Sequence, residues 1–107
     1  MRSLGLLAVI CLVSAGCAPD EDPVSRGFAL VTANCSRCHA VGPEGQSPLA
    51  AAPPFRALHE RYPVEFLQEA LAEGIITGHP AMPQFILAPE QIDDVIAYLR
   101  TLEPHAP

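Results

Sequence analysis

Cys35, Cys38 and His39 constrain this chain more tightly than any other residues. They form the run Cys35-Ser36-Arg37-Cys38-His39. On one helical turn, this spacing sets two thiols side by side with an imidazole directly after them. It is the attachment pattern of a c-type haem, in which each thiol adds across one porphyrin vinyl group and the imidazole becomes the proximal iron ligand. A thioredoxin-like redox pair lacks the obligatory histidine and needs a βαβ setting, and a zinc site needs a second ligand pair. No second cysteine pair of that spacing and no His-x₃₋₅-His run occurs in the sequence.

The chain has 107 residues, half of them hydrophobic, which allows one small domain. Residues 1–16 read as an export signal rather than as part of the fold. Arg2 supplies a thin positive start, and Leu4 to Val13 is an apolar run too short to span a bilayer. The remaining domain is so small that its core is marginal unless something else fills it. A covalently held haem is a large apolar plate that would do so.

Cys11 falls inside the signal, leaving Cys17 as the cysteine outside the haem motif. Ser14-Ala15-Gly16-Cys17 resembles a bacterial lipobox, in which small residues precede the cysteine that receives diacylglycerol. Ser14 departs from that pattern, where an aliphatic residue is preferred, so an ordinary export signal cut near Ala15 or Ala18 is the alternative. Lipidation at Cys17 would exceed the two-chain threshold for stable membrane anchoring. Residues 17–23 form an acidic, proline-punctuated tether reaching only about 20 Å when extended. The expected location is the periplasmic side of a bacterial membrane, lipid-anchored or else soluble. Nucleic acid is excluded as a partner. Without Arg2, five arginines and no lysine stand against twelve Asp and Glu.

The remaining sequence reads as three helical patterns separated by loops, an all-α fold. Asp22 followed by Pro23 is an N-cap and first-turn pair. Val24, Gly27, Phe28 and Val31 then mark one face of a helix running into the haem motif. The stretch from Ala40 to Pro54 is a loop by its glycines and prolines. Pro63 opens a second pattern with Val64, Leu67, Ala70 and Leu71, closed by Gly74. Ile75 to Leu87 has no sustained period. Pro89 opens the last helix, with Ile92, Val95, Ile96, Leu99 and Leu102 on one face.

From about Asp22 to Leu102 the chain resembles the class I c-type cytochromes. The resemblance rests on the Cys35–His39 motif, on Pro80-Ala81-Met82-Pro83, and on Val95-Ile96-Ala97-Tyr98-Leu99-Arg100 in the last helix. It implies three main helices and loops wrapped around one covalent haem, in a domain spanning 24–103 with a flexible tail at 104–107. It also implies that the first and last helices cross closely, a glycine meeting an aromatic; Gly27 and Tyr98 match. Glycine inside a helix costs about 1 kcal/mol relative to alanine, so close approach gives it a reason. The family often carries an aromatic one turn after that glycine, where this chain has Val31.

Met82 is the second site residue. An iron held only by His39 has an open sixth position, whereas a thioether closes it and raises the reduction potential. Met82 is the one methionine outside the signal and lies between Pro80 and Pro83, where the family places its distal ligand. By resemblance, Pro53 matches the proline whose carbonyl accepts the proximal imidazole N–H, with Pro54 beside it as the other register. Arg56 and Arg61 are candidates to pair with a haem propionate, Arg56 foremost. His59 and His79 read as exposed histidines rather than axial ligands, and His105 belongs to the tail. Phe28, Phe55, Phe66 and Phe85 read as core residues packed on the haem.

No nucleophile–base pair, carboxylate metal cluster or phosphate-binding glycine loop is present, so the reading is an electron carrier and not an enzyme. Single electrons would pass between exported or membrane redox partners such as a dehydrogenase, an oxidase or another cytochrome. The acidic balance points to partners with basic docking patches, although net charge does not fix the charge at the haem edge. Two alternatives stay open. One is a haem enzyme or small-ligand sensor with a labile sixth site; the other is a haem subunit of a larger membrane oxidoreductase.

Overall fold

The computed structural model describes residues 21–74 and 81–104. The signal, Cys17, most of the tether, His79, Pro80 and His105 lie outside the described residues. Three α-helices carry the architecture: α1 at Pro23–Cys35, α2 at Leu67–Glu73 and α3 at Pro89–Arg100. A 3₁₀ helix at Phe55–Glu60 and a 3₁₀ turn at Val64–Phe66 lead into α2. Among the described residues there is no strand, and no helix is long and apolar enough to cross a membrane.

The start of α1 follows from its sequence. The Asp22 carboxylate accepts from the Ser25 backbone N–H at 3.0 Å and from the Ser25 hydroxyl at 2.9 Å. Both bonds hold the Asp22 carboxyl below its ordinary range. Pro23 follows with its φ preset for a helix and no N–H to satisfy. Helix α3 also has proline in its first turn, and there the Gln91 side chain accepts from the Ala88 N–H at 3.0 Å. Helix α2 ends at Gly74, whose φ of 91° is open to glycine and strained for other residues.

The core lies where α1 and α3 cross. Gly27 and Val31 of α1 are buried, as are Ile92, Val95, Ile96, Tyr98 and Leu99 of α3. A β-carbon on Gly27 would clash with the Asp94 backbone, so the absence of a side chain is what lets the helices touch. The Tyr98 ring reaches over to Phe28, with centroids 5.3 Å apart. This chain thus supplies the crossing aromatic from the residue next to the glycine rather than from position 31. Arg26 adds a two-pronged ion pair to Asp94, with N–O distances of 2.8 and 2.9 Å.

Two expectations about phenylalanines need correction. Phe66 is 70% exposed and Phe28 is 47% exposed, so neither is a core residue. Phe66 closes a 3₁₀ turn with about three residues per turn. Val64 and Leu67 therefore share the inward side, and Phe66 between them faces out. Val64 is buried and Leu67 packs against the core. The 3₁₀ helix at Phe55–Glu60 is an element that sequence periodicity did not reveal.

Candidate haem site

Cys35 is the last residue of α1, and the chain continues its turn beyond it. The N–H groups of Cys38 and His39 both donate to the Cys35 carbonyl, at 3.2 and 2.9 Å. The motif is therefore one compact turn, with both thiols free. The following loop is tied back onto it. Leu49 donates its N–H to the Cys38 carbonyl at 3.1 Å, and Phe55 to the Ala40 carbonyl at 2.9 Å. The Ser47 hydroxyl accepts from the Ala40 N–H at 3.0 Å.

That folding back brings Pro53 to His39. The imidazole Nδ1 lies 2.7 Å from the Pro53 carbonyl oxygen. A carbonyl only accepts, so Nδ1 carries the proton and Nε2 keeps its lone pair for a metal. Phe55 packs its ring on the same imidazole, with centroids 4.9 Å apart. This ring contact was not legible in the sequence, because no spacing rule links residues 39 and 55.

Two adjoining cavities of about 380 and 450 Å³ open around these groups. Asn34, Cys35, His39, Pro53, Phe55, Met82 and Phe85 line both. The first continues inward to Val31, Leu58, Val95 and Leu99 of the core, and outward to Arg61 and Tyr62. The second continues past Cys38 to Arg37, Leu49, Ala81 and Pro83. Both are mostly apolar and within the size range of cofactor pockets. Burial pushes the Cys35 thiol up to about 11, so this wall disfavours a thiolate and suits an uncharged thioether.

The expected site residues fall as follows. Cys35, Cys38, His39, Pro53 and Met82 all line the second cavity, and Met82 is half-buried there. Arg61 lines the first cavity, whereas Arg56 lines neither. Arg56 nevertheless has a buried Nη1 with no hydrogen-bond partner among the described residues. A buried cationic donor left so is costly. His59 is half-buried on the 3₁₀ helix and lines neither cavity. Tyr98 donates its hydroxyl to the Val41 carbonyl, two residues past His39. It thereby ties the last helix to the haem-motif loop, a role its place in a hydrophobic stripe did not reveal.

Residues 24–103 match the family model described as Cytochrome c. The chain belongs to the cytochrome c family. Relatives include cytochrome c-552 of Bradyrhizobium diazoefficiens, 31% identical over 100 residues that cover 94% of each chain. Cytochrome c6 of Nostoc is 36% identical, covering 91% of this chain and 87% of its own. A cytochrome c-553-like protein of Synechocystis is 31% identical over 72% of this chain and 67% of its own. No solved structure gives a significant match.

Membership makes this an electron-transfer haem protein, not an enzyme, with one covalent haem c on Cys35 and Cys38. The site fits that group on its own evidence. It has a mostly apolar cavity beside the paired thiols and an imidazole whose Nδ1–H is held by Pro53, leaving Nε2 for a metal. A c-type haem supplies an iron that gains and loses one electron. The chain's residues supply the apolar walls, the fixed tautomer of His39 and the exclusion of bulk water.

Proposed function

We propose that this cytochrome c is a His39/Met82-ligated electron carrier that moves single electrons between redox proteins on the periplasmic side of a bacterial membrane. The observation that carries the reading is that His39 and Met82 line the same two apolar cavities. His39 would serve as proximal ligand through Nε2, its basicity set by the bond from Nδ1 to Pro53. Met82 would close the sixth position, leaving no site for substrate and favouring a high potential. Arg56 would offer its spare Nη1 to a haem propionate, with Arg61 the second candidate. Cys17 at the end of the apolar leader supports a lipid anchor, with an ordinary export signal as its alternative.

The test is an optical spectrum of the oxidised protein matured in a host competent for cytochrome c assembly. The expected result is the weak charge-transfer band of methionine–ferric haem, lost in Met82→Ala. A high-spin wild-type spectrum that shifts with cyanide, or a reduced spectrum that shifts with carbon monoxide, would instead place an open iron here and overturn the carrier reading. Mass spectrometry of the membrane fraction, with Cys17→Ser as control, decides the anchor.

A further inference from the structure

Helix α1 carries its apolar face beyond the core. Val24, Phe28, Val31 and Cys35 recur at the helical period along that face. Val31 is buried and Cys35 half-buried, whereas Val24 is 37% and Phe28 47% exposed. The other exposed large hydrophobics among the described residues, Leu49, Phe66 and Ile86, stand on separate loops and turns. The Tyr98 ring backs Phe28, with centroids 5.3 Å apart, and so holds it at the surface. Neither Val24 nor Phe28 lines a cavity, so the haem site gives no reason for either. What distinguishes the pair is its place in the chain. Val24 comes seven residues after Cys17, at most about 25 Å of extended chain.

We propose that Val24 and Phe28 dock on the lipid surface that holds Cys17, an interfacial contact that orients the domain on its membrane. The inference rests on the lipid-anchor reading of Cys17 above. With the acyl chains inserted, the tether keeps the start of α1 within reach of the headgroups. It thereby supplies an effective concentration that a two-residue contact cannot reach by itself. Apolar side chains seated at the headgroup boundary lose water there. Glu21 and Asp22 are exposed beside the pair, and the Arg26 guanidinium between Val24 and Phe28 is engaged by Asp94. The surface that fits is therefore zwitterionic rather than anionic. Docking leaves the haem site open, because Cys35 lies about 16 Å along α1 from Val24. One end of α1 holds the domain while the other presents the Cys35–His39 turn.

The test uses the haem-loaded, acylated protein in phosphatidylcholine vesicles. A nitroxide on Val24→Cys reports depth, and one on Gln68→Cys, at an exposed position of α2, is the control. In electron paramagnetic resonance, collision with a water-soluble nickel chelate should be several-fold lower at position 24 than at 68, and collision with oxygen higher. Phe28→Glu should restore nickel access at position 24 while the protein stays in the vesicle fraction. Equal access at both positions, or shielding untouched by Phe28→Glu, would overturn the proposal.

Shielding found in native membranes but absent from lipid vesicles would assign the face to a protein partner, and would overturn it as well. Mass spectrometry separates this proposal from the reading beneath it. An unacylated Cys17 fails the anchor and takes the docking with it, whereas an acylated Cys17 with an exposed label fails the docking alone. Visible spectra of each variant check that the haem site is intact.

Discussion

Gly27 and Asp94 stand so close that a β-carbon on Gly27 would lie 2.0 Å from the Asp94 carbonyl oxygen. The obstacle is backbone, with the Asp94 carbonyl carbon at 2.7 Å and Tyr98 Cβ at 2.9 Å behind it, so no side-chain rotation relieves it. Both cavities are bounded by α1, and the first is bounded by α3 as well. This crossing therefore also sets the width of the haem site.

Gly27→Ala should destabilise the haem-loaded protein by about 3 kcal/mol or more, the upper range for overpacking. The gain in helix propensity of about 1 kcal/mol is too small to offset a clash with backbone. In thermal unfolding this corresponds to a fall of more than about 12 °C for a domain of this size. An unchanged melting temperature would mean that the helices part at little cost and that the crossing does not limit the site.

Beside the glycine, Arg26 grips Asp94 with two hydrogen bonds. The Arg26 guanidinium holds the Asp94 carboxyl below its ordinary 3.8. A depressed carboxyl stabilises the fold above its unfolded pKa, and that contribution is lost as pH falls through its folded pKa. Asp94→Asn should therefore be less stable than wild type at pH 7. The difference should shrink as the solution is taken below about pH 4, where the ordinary carboxyl protonates. Urea unfolding of both proteins at pH 7 and pH 3 measures it. A gap that stays constant across that range would assign the loss to packing and not to charge.

Much of the fold was legible because it depends on local signals. Asp22-Pro23 and Pro89 start helices where their geometry says they must. The 3.6-residue stripe of Ile92, Val95, Ile96 and Leu99 is the buried face of α3. The haem motif is a fixed spacing, so Cys35, Cys38 and His39 needed no three-dimensional information. The rest depends on contacts between distant parts of the chain. The Phe55 ring on His39 and the Tyr98 hydroxyl on Val41 join residues far apart in sequence. Phe66 misled because a 3₁₀ turn places residues differently from the α-helical period.

Tyr98 offers a test of that long-range wiring. Its hydroxyl donates to the Val41 carbonyl, and burial raises the phenol's pKa, so it remains a donor throughout the neutral range. Tyr98→Phe keeps the ring against Phe28 and removes that one bond. The expected cost is about 1 kcal/mol, the net worth of a hydrogen bond whose acceptor is left without its partner. If the bond also steadies the loop behind His39, hydrogen exchange at the backbone amides of Val41 and Phe55 should quicken more than at α2. Uniform quickening across the molecule would confine Tyr98 to global stability.

Arg56 gives the last prediction. Its Nη1 is buried without a partner among the described residues, and a haem propionate is the anion this site would bring to it. Arg56→Gln removes a cation that opposes the additional positive charge of ferric iron, so the oxidised state gains and the reduction potential should fall. The expected change is on the order of tens of millivolts, the scale of one charge acting over about 10 Å at an effective dielectric near 20. Removing the cation also raises the propionate's pKa, so the pH dependence of the potential should move to higher pH. Voltammetry between pH 4 and 9 reads both effects. If Arg61→Gln shifts the potential and Arg56→Gln does not, the propionate partner is the arginine that lines the cavity, and Arg56 is confined to holding its own 3₁₀ helix.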